Sequence, residues 1–132
     1  MSVALLLITH DKIASSMIEI VASIINHQPD NLGYAEIPMD APVNNMNKKI
    51  INELDQLDKK DGLLILTDMY GSTPSNIANK FSEDDNVKLI SGLSLPMLIK
   101  IMNYRTLPLD ELARKAIEGG HDGIAIYEHG II

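Results

Sequence analysis

Two polar stretches stand directly behind apolar runs, and they hold the residue types best suited to chemistry. Thr9-His10-Asp11 follows the run from Val3 to Ile8, and Thr67-Asp68-Met69-Tyr70-Gly71-Ser72-Thr73-Pro74 follows the run from Leu63 to Leu66. A histidine beside a carboxylate can lend one imidazole nitrogen to the acid and keep the other as a nucleophile, which would make His10 and Asp68 a catalytic pair. The backbone N–H groups of Gly71, Ser72 and Thr73, in a turn entering a helix, form a seat for an anion. Histidine, orienting aspartate and anion seat together point to phosphoryl transfer to and from an imidazole. Singly, each has a plainer reading. A histidine after a buried strand is often a hydrogen-bonded structural residue, Asp68 could brace a loop, and Gly-Ser-Thr-Pro is an ordinary helix entry.

Other candidates carry less. His27 falls at a helix end, where a cation suits the dipole. His121 and His129 have a spacing that matches no metal signature, so no metal site is expected. Tyr70 stands on a loop beside the pair, where it either contacts a partner or packs over the turn. The seven methionines fall mostly at apolar helical positions and read as core. With no cysteine, disulfides, iron–sulfur ligation and thiolate catalysis are all excluded.

The elements that must position the pair alternate between short apolar strands and segments of helical period, the pattern of a parallel α/β sheet. Val3 to Thr9 reads as a strand buried on both faces. A helix capped at Asp11 follows through Ile13, Met17, Ile20, Val21 and Ile24 to about His27. Leu32 to Ile37 reads as a second strand, Val43 to Leu57 as a second amphipathic helix, and Gly62 to Thr67 as a third strand. Thr73 suits an N-cap and Pro74 the first helical position, for a helix ending near Ser82. Val87 to Ser91 is a fourth strand, Pro96 opens a helix, and Leu109 to Ile117 form a last helix stopped by Gly119-Gly120. Gly123 to Tyr127 alternates like a short strand. In an open doubly wound sheet the ligand crevice lies outside the carboxyl ends of the strands where their order reverses, commonly between the first and third. His10 and Asp68 both fall there.

The 132 residues suit one domain, 1–132, with helices on both faces of a mainly parallel sheet. A formal net charge of −7 argues against nucleic acid as a partner. Hydrophobic residues at 45% and charged residues at 22% describe a packed globular domain rather than a disordered chain. No basic stretch precedes the first apolar run, and no apolar run approaches the roughly 20 residues that cross a bilayer. A cytoplasmic protein with no direct membrane insertion is the expectation.

The stretches Thr9-His10, Leu64 to Asn76 and Ser91-Gly92-Leu93-Ser94-Leu95-Pro96-Met97-Leu98, in that order, resemble the IIA domain of the mannose class of the sugar phosphotransferase system (PTS), over almost the whole chain. The resemblance implies that His10 accepts a phosphoryl group from the carrier HPr and passes it to a IIB component, as a phosphotransferase with a phosphohistidine intermediate and no cofactor. It implies that Asp68 hydrogen-bonds that histidine. The family's Gly-Gly-Ser-Pro turn is here Gly71-Ser72-Thr73-Pro74, so Ser72 replaces a glycine while Thr73 keeps a hydroxyl. Tyr70 stands where the family carries an aromatic or apolar residue. Family members form homodimers whose last strand pairs with the neighbouring subunit, which the segment Gly123 to Tyr127 matches. The apolar Ile131-Ile132 at the chain end also fits docking on a neighbour. Since no second domain follows Ile132, IIB is expected as a separate protein.

Three other functions are compatible with the sequence. One is a regulatory module in which phosphorylation of His10 reports metabolic state without sugar transport. Another is the related phosphotransfer subunit of dihydroxyacetone kinase, against which Gly71-Ser72-Thr73-Pro74 and Leu95-Pro96-Met97-Leu98 favour the mannose-type branch. A response-regulator receiver ranks last, lacking the acidic pair after strand one and the lysine after strand five.

Overall fold

The computed structural model describes residues 2–129. Four strands, β1 (Ala4–His10), β2 (Leu32–Ile37), β3 (Leu63–Thr67) and β4 (Val87–Ile90), form one sheet in the order β2-β1-β3-β4. Every pairing is parallel, so the α/β architecture expected from the alternating pattern is the one observed. Five helices connect and cover the strands: α1 (Ile13–Ile25), α2 (Val43–Asp55), α3 (Thr73–Asn79), α4 (Leu95–Asn103) and α5 (Leu109–Asp122).

The central strands are buried on both faces because both faces carry helices. Leu5, Leu7, Leu64 and Leu66 point to one face, where Val21 of α1, Leu98 and Ile101 of α4 and Leu112 and Ala116 of α5 meet them. Ala4, Leu6, Ile8, Leu63 and Ile65 point to the other, against Ile50 of α2 and Ile77 and Ala78 of α3. Strand order reverses between β1 and β3, and Ile8 lies opposite Thr67 in their ladder. His10, two residues beyond Ile8, and Asp68, one beyond Thr67, therefore emerge together at the carboxyl end of the sheet.

Four local expectations need correction. Asp11 does not cap α1; its N-cap is Lys12, which makes no side-chain cap bond. The first-turn amides are instead met from the sheet, Ala14 N–H by Thr9 Oγ1 at 3.0 Å and Ser15 N–H by Glu36 Oε2 at 2.9 Å. The cap of α3 is Ser72 rather than Thr73, its hydroxyl accepting from Ser75 N–H, and the helix stops at Asn79.

Gly119-Gly120 does not stop α5, which runs on to Asp122. Glycine inside a helix costs about 1 kcal/mol against alanine, and close packing explains its presence. A Cβ on Gly119 would stand 2.5 Å from Lys100 Cβ and 3.1 Å from the Pro96 carbonyl oxygen, so only glycine lets α5 approach α4 so nearly.

The strand expected over Gly123 to Tyr127 is not formed within the chain. Gly123 caps α5, and residues 124–128 carry no regular structure, with Ile124 84%, Ile126 92% and Tyr127 77% exposed. A strand needs a sheet edge to satisfy its backbone. Gly123 itself is packed against Pro96 at the start of α4, and the residues after it pair with no strand among the described residues. Ile131 and Ile132 lie outside the described residues. Among the described residues no helix is long and apolar enough to cross a membrane.

Candidate active site at the carboxyl ends of β1 and β3

His10 is the last residue of β1, and three hydrogen bonds from two neighbours hold it. Its backbone N–H donates to Asp68 Oδ2 at 3.1 Å, and its imidazole Nδ1 lies 2.8 Å from the same oxygen. Its carbonyl accepts from the Thr9 hydroxyl at 2.8 Å. Because a carboxylate only accepts, Nδ1 carries the proton, and Nε2 is left with its lone pair as the basic, nucleophilic nitrogen. The imidazole is 28% exposed and the Asp68 side chain 11%. The acid is thus largely withdrawn from water while the ring still reaches the surface.

Thr9 is fully buried. Its hydroxyl both donates to His10 and accepts from α1, which ties the end of β1 to the start of the following helix. Glu36 on β2, opposite Thr9 in the ladder, adds a second tie by accepting from both the amide and the hydroxyl of Ser15. Neither role was visible in the sequence. A first turn of α1 without an acidic residue was the available hint that its amides must be satisfied from elsewhere.

The turn 69–73 follows Asp68 directly. Gly71 has φ +78° with nothing within 4 Å of where a Cβ would be, so its backbone conformation rather than lack of room calls for glycine. The N–H and hydroxyl of Ser72 both donate to the Met69 carbonyl, at 3.3 and 2.6 Å. Of the three residues expected to seat an anion, Ser72 therefore has its donors engaged within the turn. The N–H groups of Gly71 and Thr73 meet no acceptor among the described residues.

Exposed apolar side chains stand on the loops that follow β2 and β3. Tyr70 is 85%, Met69 56% and Met39, from the loop after β2, 91% exposed. Met39 and Met69 lie on loops and are exceptions to the expectation that the methionines are mostly core. A cavity of ≈ 330 Å³ lies beside the turn, lined by Tyr70, Gly71, Ser75, Asn76, Asn79, Leu89 and Ser91. A larger cleft of ≈ 460 Å³ runs between β4 and α5. Neither includes His10 or Asp68. The imidazole reaches the surface outside both, which suits reaction with another macromolecule better than enclosure of a small substrate. His27 is at an exposed helix end, with Nδ1 3.1 Å from the Gln28 carbonyl oxygen. His121 lies in the last turn of α5, and His129 is exposed beyond it. None of the three approaches the pair by a hydrogen bond. Among the described residues no three His, Asp or Glu side chains gather to hold a metal.

Residues 4–117 match the family model EIIA-man, described as PTS system fructose IIA component. The mannose-specific EIIAB component of the PTS from Escherichia coli K12 is 27% identical over 127 residues, covering 94% of this chain and 39% of that protein. The chain thus spans well under half the length of that relative. The fructose-specific EIIA component of Bacillus subtilis is 28% identical over 64 residues, 48% of this chain and 44% of that protein. Among solved structures, an EIIA component from Streptococcus agalactiae superposes with a TM-score of 0.82 at 24% identity, covering 94% of this chain and 96% of that one. A mannose/sorbose-specific IIA subunit from Enterococcus faecalis superposes with a TM-score of 0.80 at 20% identity, covering 97% and 96%.

Proposed function

The chain belongs to the EIIA-man family of PTS IIA components, and from that premise we propose that it is a phosphocarrier that takes a phosphoryl group from phospho-HPr on His10 and delivers it to a IIB partner for sugar uptake. The observation that carries this reading is the bond between His10 Nδ1 and Asp68 Oδ2, which turns Nε2, the other ring nitrogen, away from the acid on a ring that still reaches the surface. The Nε2 lone pair attacks phosphorus as the bond to the donor's carrier atom breaks, and that bond's electron pair leaves with the donor. The ring then carries positive charge. Its proton stays on Nδ1 against the buried carboxylate, which stabilises the phosphorylated ring and holds it ready for the reverse step toward the acceptor. The Gly71 and Thr73 amides face the equatorial oxygens of the group in transfer, with Ser72 holding the turn rather than donating.

Tyr70, Met69 and Met39 form the rim that docks donor and acceptor in turn, since exposed aromatic and methionine side chains are the types enriched at protein interfaces. On this reading the protein works in the cytoplasm, where its donor is phosphorylated.

The active form is a homodimer. Support comes from the tail, where Ile124, Ile126 and Tyr127 are exposed, and from β4, whose outer edge carries no strand among the described residues. Adding the tail of a second copy along β4 would satisfy both sets of backbone groups. Its apolar side chains would enter the cleft lined by Leu89, Ile90, Ala113 and Ile117.

The relay is tested by incubating the protein with phosphoenolpyruvate, enzyme I and HPr, then with candidate IIB proteins. Acid-labile label that moves onward supports the carrier reading. Label that forms on His10 but moves to no IIB favours the regulatory module, and absence of label defeats both.

A further inference from the structure

The loops that follow the four strands surround the carboxyl end of the sheet. They comprise residues 11–12, 38–42, 68–72 and 91–94, and within them Lys12 is the single cation, set against Asp11, Asp40 and Asp68. It is exposed and makes no ion pair among the described residues.

Its backbone is unusual as well. Three non-glycine residues have positive φ: Asn26, Asn31 and Lys12, the last at 69°. Asparagine tolerates the left-handed region, whereas a long side chain there is strained. The strained lysine lies two residues from His10, and strain retained beside a reacting group points to a use for the side chain.

Other sources of positive potential are already committed. The α1 amides of Ala14 and Ser15 are taken by Thr9 and Glu36, and Glu36 brings a carboxylate to that helix end. The turn 71–73 offers neutral amides alone. A phosphoryl group carries about −1.5 to −2 charge near neutral pH, and here it must approach a chain of net charge −7 with Asp68 behind the ring.

We infer that Lys12 supplies the cation that pairs with the phosphoryl group as it reaches and leaves His10. Two residues of chain span at most about 7 Å, and the flexible four-carbon stem lets the ammonium follow the group outward. Lys12 forms no covalent bond and keeps its protons; it offsets charge while phosphorus moves between donor and Nε2. The inference rests on His10 being the acceptor.

The test separates charge from strain and from the partner. Parent, K12R, K12Q and K12G proteins are phosphorylated with phosphoramidate, which needs no partner protein, and in parallel by phospho-HPr, at low and high ionic strength. Their melting temperatures are measured alongside. At low salt K12Q and K12G should react about fivefold or more slowly, the worth of one unit-charge contact in water. K12R should stay above K12Q, and the differences should shrink at 1 M salt, where the Debye length is about 3 Å. K12G should melt no lower than the parent because it relieves the left-handed lysine. Parental rates for K12Q and K12G at low salt would overturn the inference, as would slowing that salt leaves unchanged. If phosphoramidate labels His10 but phospho-HPr does not, the carrier reading fails while the comparison of Lys12 variants still decides this one. If neither donor labels His10, both fall.

Discussion

Replacing Asp68 by asparagine removes a charge while keeping an acceptor of nearly the same shape. The amide oxygen can still receive the His10 N–H and the Nδ1 proton, bonds of 3.1 and 2.8 Å to one oxygen in the parent, so the fold should survive with a melting temperature close to the parent's. The reaction should not. A hydrogen bond to a charged partner contributes about 1.5–3 kcal/mol and a neutral one about 0.5–1.5 kcal/mol, so the Nδ1 bond loses about 1 kcal/mol as the ring becomes positive. The carboxylate also attracts that developing charge, by about 4 kcal/mol for a full charge at 4 Å and an effective dielectric of 20. With half the charge formed at the transition state, this adds about 2 kcal/mol. The sum of about 3 kcal/mol corresponds to roughly a hundredfold in rate. Single-turnover transfer from phospho-HPr, followed by rapid quench at saturating donor, reads this directly. Parental rates in a folded D68N protein would leave Asp68 a structural brace with no part in the transfer.

Three further outcomes follow from the same contacts. Thr9→Val strands the Ala14 N–H in the interior, costing about 1–3 kcal/mol in chemical denaturation, and should slow transfer by loosening His10. Gly119→Ala drives a methyl into Lys100 and the Pro96 carbonyl, so it should destabilise by roughly 1–3 kcal/mol without changing the rate per folded molecule, as paired melts and labelling assays would show. Deleting residues 124–132 should convert a dimer to monomers or insoluble protein, and a full-length chain that sediments as a monomer at micromolar concentration would remove the dimer from the account.

The strands and the pairing of His10 with Asp68 were legible because burial on both faces leaves a continuous apolar run, and the polar residue ending such a run must emerge at the sheet's carboxyl edge. Leu32–Ile37 appears with the bounds its pattern implies. Helix ends were less legible, since they depend on contacts distant in sequence. The α1 amides are satisfied by Thr9 and by Glu36, 21 residues beyond Ser15, which made the nearby Asp11 a misleading cap. Gly119-Gly120 has the composition of a helix stop, but the near approach of α4 that explains it is invisible along one chain. The tail's alternation, Ile124 and Ile126 against Ala125 and Tyr127, is real, yet no ladder forms without an edge to receive it. Which imidazole nitrogen faces Asp68 could not be read from residue types at all; it depends on ring orientation.

Nitrogen-resolved NMR of the phosphorylated protein reads that ring orientation. One phosphohistidine is expected, at His10, with phosphorus coupled to Nε2 and a proton retained on Nδ1, and no labelling of a His10→Ala protein. Phosphorus on Nδ1, or a His10→Ala protein that labels at the parental level, would contradict it.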